Sequence, residues 1–262
     1  MKISFNSINS NIGHFLHQEL QYLLDMIFKN DQSIEIFLPN YISTDNQYRW
    51  HYGIFNILKN KNDKCTIIFT NNIPTDCHII NSGHPMIIDI AYIEYLRKIV
   101  FEYYSIPYDT ELKPYKVLYT RTHDTDRRHL LNSNCVKNNF NLIINSLNIS
   151  FEEQVRLFSK LTHFVSVESG AHFVNIMFMQ PSAKVMNILT RTDFSTADNR
   201  IEKYDSWQCR FGTSKLIKEF NLDTKATSRV KCSNGAACGD FDMHNHVYID
   251  DKLKKSILDW IN

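Results

Sequence analysis

Glycine and proline are scarce in this chain, at seven and six of 262 residues. No internal repeat or low-complexity tract is present, which excludes repeat and solenoid architectures. The scarcity accompanies abundant asparagine, isoleucine and lysine, the composition of an A+T-rich genome such as that of a bacterium or a large virus. The six cysteines, Cys65, Cys77, Cys135, Cys209, Cys232 and Cys238, are too scattered to form a disulfide scaffold in a chain this size. Reduced thiols and a cytoplasmic site are the expectation, in a bacterium or, for a viral protein, in its host. A net charge of +1 gives no pull toward nucleic acid or an anionic membrane. No run approaches the roughly 20 apolar residues of a membrane span. The N-terminal stretch carries Asn and Ser and has no apolar h-region, so no secretory signal is expected. Motif absences narrow the chemistry further. There is no G-x-S-x-G elbow, no Walker lysine and no G-x-G-x-x-G, which removes the usual signatures of serine hydrolases, P-loop kinases and dinucleotide enzymes.

What is present describes a globular protein: 43% hydrophobic and 22% charged residues, with length enough for two modest domains. The stretch from Tyr115 to Ile188 is the most organised. Val117 to Tyr119 reads as a strand delivering Thr120 and Arg121, and a polar loop then leads to Arg127 and Arg128. Ser150 to Phe158 reads as an amphipathic helix with a serine N-cap and a capping-box Glu153. Phe164 to Val167 is a buried strand. It turns through Glu168, Ser169, Gly170 and Ala171 into a helix ending near Phe178, where Pro181 stops it before a strand from Ala183 to Leu189. Alternating strands and helices predict a parallel α/β sheet. Ligands sit at the carboxyl ends of such strands. A small-residue turn opening a helix offers free N–H groups and a positive dipole end, and Arg121 from the next strand end adds a guanidinium, so the pair suits a phosphate.

The first half alternates too. Lys2 to Phe5 reads as a short edge strand, and Ile34 to Leu38 and Cys65 to Thr70 as further strands. Ile79–Ile80 and Met86 to Ile88 are short strand candidates. Helices are expected from Asn11 through Ile27, over Tyr48 to Leu58 and over Ala91 to Tyr104. Ser105 to Pro114 reads as a linker between domains 1–108 and 109–262. Beyond Leu189 the pattern weakens. A helix interrupted at Gly212 is expected over Trp207 to Phe220, then a strand Val247 to Ile249 and a terminal helix Lys252 to Ile261 capped by Asp250 and Asp251.

Four pieces in order resemble glycosyltransferase family 61. Tyr119-Thr120-Arg121 with Arg128 to Asn132 is similar to the family's arginine signature, and Phe151-Glu-Glu-Gln154 to its "feeQ" helix. Ser169-Gly170-Ala171 with Asn175 and Phe178 is similar to its H-G-A-G-L-x-N-x-x-F turn, followed by Pro181 and a strand. Asn11-x-Gly13-His14-Phe15, with Glu19 beyond it, resembles the N-terminal N-x-x-H signature. The family's turn histidine is Ser169 here, and its second glycine is His172.

The resemblance implies two facing Rossmann-like domains of the GT-B type, with the last helix crossing back onto the first. It implies an inverting, metal-independent transfer from a nucleotide-sugar, a UDP-sugar above all, to a glycan or glycoprotein hydroxyl. No separate cofactor is implied. Arg121 and Arg128 would neutralise the diphosphate with the backbone of Ser169, Gly170 and Ala171. Either the donor is held differently from the family's pattern or His172 takes over the lost histidine's role in binding it, and Asn175 would orient the turn. His14 or Glu19 would deprotonate the acceptor, and the usual titration range of histidine favours His14. Asp124-Thr125-Asp126 is spelled like a metal-binding D-x-D but lies in the arginine loop. Two other readings stay open: a degenerate transferase that binds nucleotide or glycan without turnover, and a domain stapled by zinc through Cys232, Cys238, His244 and His246, whose spacing is irregular for such a site. Trp50, His51 and Trp207 read as packing residues.

Overall fold

A computed structural model describes residues 1–5, 7–81, 90–108, 110–122, 128–167, 174–189, 221–225, 228–230 and 246–262. The fold class is α/β, and its two larger sheets are wholly parallel. The chain forms two compact units. The first comprises Met1–Tyr108, Ser150–Arg156 and Phe173–Phe178; the second comprises Asp109–Ile149, Leu157–His172 and Met179–Asn262.

In the first unit the strands are β1 (Lys2–Phe5), β2 (Ile34–Leu38), β3 (Cys65–Phe69) and β4 (His78–Ile80), in the order β3-β2-β1-β4. The helices are α1 (Ile12–His14), α2 (Gln21–Lys29), α3 (Tyr41–Thr44), α4 (Arg49–Lys61) and α5 (Ile90–Tyr103). β1 is an interior strand, not the edge strand its length suggests. It pairs with β2 and β4, and Ile3 and Phe5 are buried. Four residues suffice because both neighbours supply ladder bonds. Strand order reverses between β1 and β4, so the loop leaving β1 occupies a topological switch point. Asn11 caps α1, its Oδ1 accepting from Gly13 N–H at 3.0 Å and His14 N–H at 3.4 Å. Between α1 and α2 the chain is π-helical over Phe15–Leu20. Met86 to Ile88 lies outside the described residues.

The second unit holds β5 (Lys116–Tyr119), β7 (Leu142–Ile144), β8 (His163–Val167), β9 (Lys184–Leu189) and β10 (Asn221–Lys225), ordered β10-β9-β8-β5-β7. In chain order this is the flavodoxin-like arrangement 2-1-3-4-5, whose switch point lies between β5 and β8. A small sheet joins β6 (Leu130–Leu131), β12 (His246–Tyr248) and β11 (Ser228–Val230). The terminal helix α7 (Asp251–Ile261) is capped by Asp250, which accepts from Leu253 N–H at 2.9 Å. Its buried stripe, Leu253, Ile257 and Ile261, packs with Leu118, Val165, Val167, Met186 and Ile188. The helix thus spends its apolar face on the second unit's own core, where the crossover expectation put it on the first.

Helix α6 (Phe151–Phe158) starts with the expected capping box: Ser150 N–H donates to Glu153 Oε2 at 2.8 Å, and Glu153 N–H to Ser150 Oγ at 3.2 Å. Its first six residues count with the first unit. Phe151 explains part of this. Its ring meets Trp50 and Phe178 edge-on and lies flush against Gly53, where a Cβ would land inside it. The expected helix through Phe178 is a 3-10 turn over Val174–Phe178 where it is described. The helix expected over Trp207 to Phe220 falls outside the described residues.

Candidate active site

At the second unit's switch point, β5 ends at Tyr119 and hands the chain to Thr120 and Arg121. Thr120 is fixed on three sides. Its N–H donates to Ile144 O at 2.8 Å, its hydroxyl reaches Asn145 Oδ1 at 2.8 Å, and its carbonyl accepts from Leu130 N–H at 2.9 Å. The last bond closes the loop, so Arg121 and Arg128 stand at the two feet of one excursion. Both have left-handed backbone, with φ of 62° and 58°. That conformation costs a non-glycine residue about 1–2 kcal/mol. Strain of this kind collects at functional sites. Arg121 is nearly buried and Arg128 half-buried. Ser169, Gly170, Ala171 and His172, expected to complete the anion cradle, lie outside the described residues, as do Asp124 to Asp126.

Asn175 belongs with the first unit. It is buried, its Oδ1 accepts from Trp50 Nε1 at 3.2 Å, and its Nδ2 donates to Gln154 Oε1 at 2.8 Å. The buried Arg97 guanidinium adds a short bond from Nε to Met177 O. Three bonds therefore sew segment 174–178 to α4, α5 and α6. Gln154 and Asn175, read from the sequence as motif residues, form a structural joint.

The first unit's switch point is built differently. Glu19 falls on the apolar stripe of Phe15, Leu16, Leu20, Leu23 and Leu24, all fully buried, and is fully buried itself. Both its carboxylate oxygens accept from Asn9 N–H at 3.0 Å. Burial pushes its pKa up to about 7, and the Asn9 bond only partly opposes this. On α4, the fully buried His51 donates from Nε2 to Asn9 O at 2.8 Å, which makes Nε2 the protonated nitrogen. Burial pulls His51 down to about 4, so it is neutral. Its ring packs on Phe15, Tyr48 and Trp50. Asn9 Oδ1 in turn accepts from Asn11 N–H at 3.0 Å. His14 follows Asn11 and is half-buried, whereas Glu19 has no exposed surface.

The structure thus places Arg121 and Arg128 at the two feet of one loop in the second unit, and groups His14, Glu19 and Asn175 with the first. Asn9 and His51 were not singled out as polar partners. The available signal was a histidine on the stripe His51, Ile54, Phe55 and Leu58, a polar group on a buried face. The rings of Trp50 and His51 are buried and packed, as expected, and each also makes a polar bond, Trp50 to Asn175 and His51 to Asn9. Of the four zinc candidates only His246 is described. Its Nδ1 accepts from His129 N–H at 3.1 Å, and its ring lies 4.3 Å from that of His129. Among the described residues no cluster of three metal-ligating side chains occurs. Among them, too, no helix is long and apolar enough to cross a membrane.

The family model for Glycosyltransferase 61 matches residues 12–186. No curated protein matches the chain. The matched span takes in the Asn11-capped segment, the strained arginine loop, the Gln154–Asn175 joint and the first half of β9, well over half of the sequence. The chain therefore belongs to glycosyltransferase family 61 and is a glycosyltransferase, acting on a sugar donor and an acceptor.

Proposed function

We propose that the enzyme is an inverting, metal-independent transferase of the GT-B type that moves a sugar from a UDP-sugar to a hydroxyl of a glycan or protein. The observation carrying this reading is the pair Arg121 and Arg128, held in left-handed conformation at the feet of one loop at the β5–β8 switch point. Two guanidiniums at a strand end suit a diphosphate, which they can bind through bidentate bonds. The second unit binds the donor and the first the acceptor. The acceptor oxygen attacks the anomeric carbon as its proton passes to His14. The bond from that carbon to the diphosphate oxygen breaks, and UDP leaves with the electron pair. The arginines stabilise the charge developing on that leaving group, where electrostatic catalysis is strongest. His14 then releases its proton to solvent.

Thermal unfolding with a panel of nucleoside diphosphates and their sugars, in chelator, tests the reading. A ligand at ~100 times its dissociation constant adds about 2.7 kcal/mol. Uridine diphosphate is expected to raise the melting temperature and Arg121→Ala to abolish the rise. A wild-type protein that shifts with no nucleotide and releases no UDP from any sugar donor sinks the proposal.

A further inference from the structure

The loop between β1 and α1 is short, polar and held from both ends of one residue. Glu19 takes the N–H of Asn9, and His51 supplies a proton to its C=O. From Asn9 the bonds continue without a break: Asn9 Oδ1 to Asn11 N–H, then Asn11 Oδ1 to the N–H groups of Gly13 and His14. Asn11 O also accepts from Phe15 N–H at 2.9 Å. The two anchors come from separate elements, the π-helical Phe15–Leu20 and α4, and both are fully buried. π-helical turns recur at functional sites because the extra residue re-aims side chains.

We infer that Glu19 and His51 are positioning residues: together they clamp Asn9 and, through Asn9 and Asn11, set the place of His14 at the first unit's switch point. This rests on the transfer reading, in which His14 takes the acceptor's proton. Glu19 itself does not meet the acceptor, since both oxygens face the Asn9 amide and the side chain has no exposed surface. His51 contributes one donor and a ring. The donor is the part that acts on the loop, while the ring fills space against Phe15, Tyr48 and Trp50. A neutral histidine suits this role because its acceptor is a carbonyl.

The two functions of each anchor separate by substitution. His51→Phe keeps the ring and removes the donor, while His51→Gln restores a donor. Glu19→Met keeps the bulk and removes the acceptor, while Glu19→Gln restores a neutral acceptor. Two readouts are taken on the full chain: hydrogen–deuterium exchange of peptides spanning 7–16 and 90–103, and steady-state transfer kinetics. His51→Phe and Glu19→Met are expected to speed exchange in 7–16 and leave 90–103 unchanged. They should lower kcat by about 10- to 100-fold, the scale of a misplacement of about 1 Å, with donor KM unchanged. His51→Gln and Glu19→Gln should bring both readouts back toward wild type. Unchanged exchange in 7–16 for His51→Phe overturns the clamp. Loss of turnover in Glu19→Gln as complete as in Glu19→Met, with exchange undisturbed, overturns the positioning role and makes Glu19 a reacting group. If the wild type turns over no donor, the transfer reading fails, and the exchange comparison still decides the clamp.

Discussion

The two units solve one topological problem with opposite chemistry. Each has a parallel sheet whose strand order reverses, between β1 and β4 in the first and between β5 and β8 in the second. At the first reversal the polar groups are buried and tied to backbone: a carboxylate pushed up to about 7 and a histidine pulled down to about 4, both bonded to Asn9. At the second, two permanently charged guanidiniums stand on strained backbone at the ends of an excursion. Desolvation sets the charge of the first pair, whereas a guanidinium keeps its charge even where, as at Arg121, it is nearly buried. A switch point thus fixes where a ligand can lie, while side-chain burial fixes which charge it meets.

Breaking the cationic side should produce the largest effect. Arg121→Ala is expected to lower kcat/KM by about 10²–10³-fold, the cost of removing one stabiliser of developing charge. UDP release against donor concentration measures it. Arg121→Gly should lose activity as fully yet raise unfolding stability by about 1 kcal/mol, because glycine adopts φ of 62° without strain. Lost activity with lost stability would make the strain argument wrong.

The buried side should respond to pH instead. Glu19 holds its proton up to about 7 in the folded chain against an ordinary 4.5, so its contribution is full below 4.5 and lost as pH rises to 7. His51 is depressed to about 4 from 6.5, so its contribution is full above 6.5 and lost as pH falls toward 4. Between 4.5 and 6.5 the two slopes oppose and cancel. Glu19→Gln should therefore expose an acid-side loss on the order of 3 kcal/mol, and His51→Phe a similar loss on raising the pH. Denaturant melts at half-unit pH steps read this directly, and two variants with parallel profiles would refute it.

Smaller effects concern the start of α6, which counts with the first unit. Gly53→Ala usually favours a helix, but here the methyl meets the Phe151 ring, and a loss of about 1–3 kcal/mol is expected. Ser150→Ala removes the α6 cap and should cost about 1 kcal/mol in the same assay.

Much of this architecture was legible in the chain. Asn11, Ser150 with Glu153, and Asp250 cap helices because each rule acts over three or four residues, which sequence displays directly. The strands at Ile34–Leu38 and His163–Val167 are mostly apolar runs, broken by Glu35 in the first and Ser166 in the second, and are largely buried on both faces. β7 and β10 were missed because polar residues flank or interrupt them: Asn141 and Asn145 around the first, Asp223 and Thr224 within the second. The arginines were legible as a strand-end pair, but their left-handed backbone was not, since nothing local favours it in arginine.

By itself the sequence determined the α/β alternation, the caps and the motif set of the family, all of which rest on short-range periodicity and residue type. The tertiary structure alone decided that β1 is interior and that α7 covers the second unit's core. It also decided that Asn175 is spent on Trp50, 125 residues away, and that Glu19 and His51 meet at Asn9. The reason is physical. A capping bond forms between neighbours in the chain, whereas desolvation, and with it the charge state of a buried acid or histidine, depends on residues brought together only when the sheet and its helices pack.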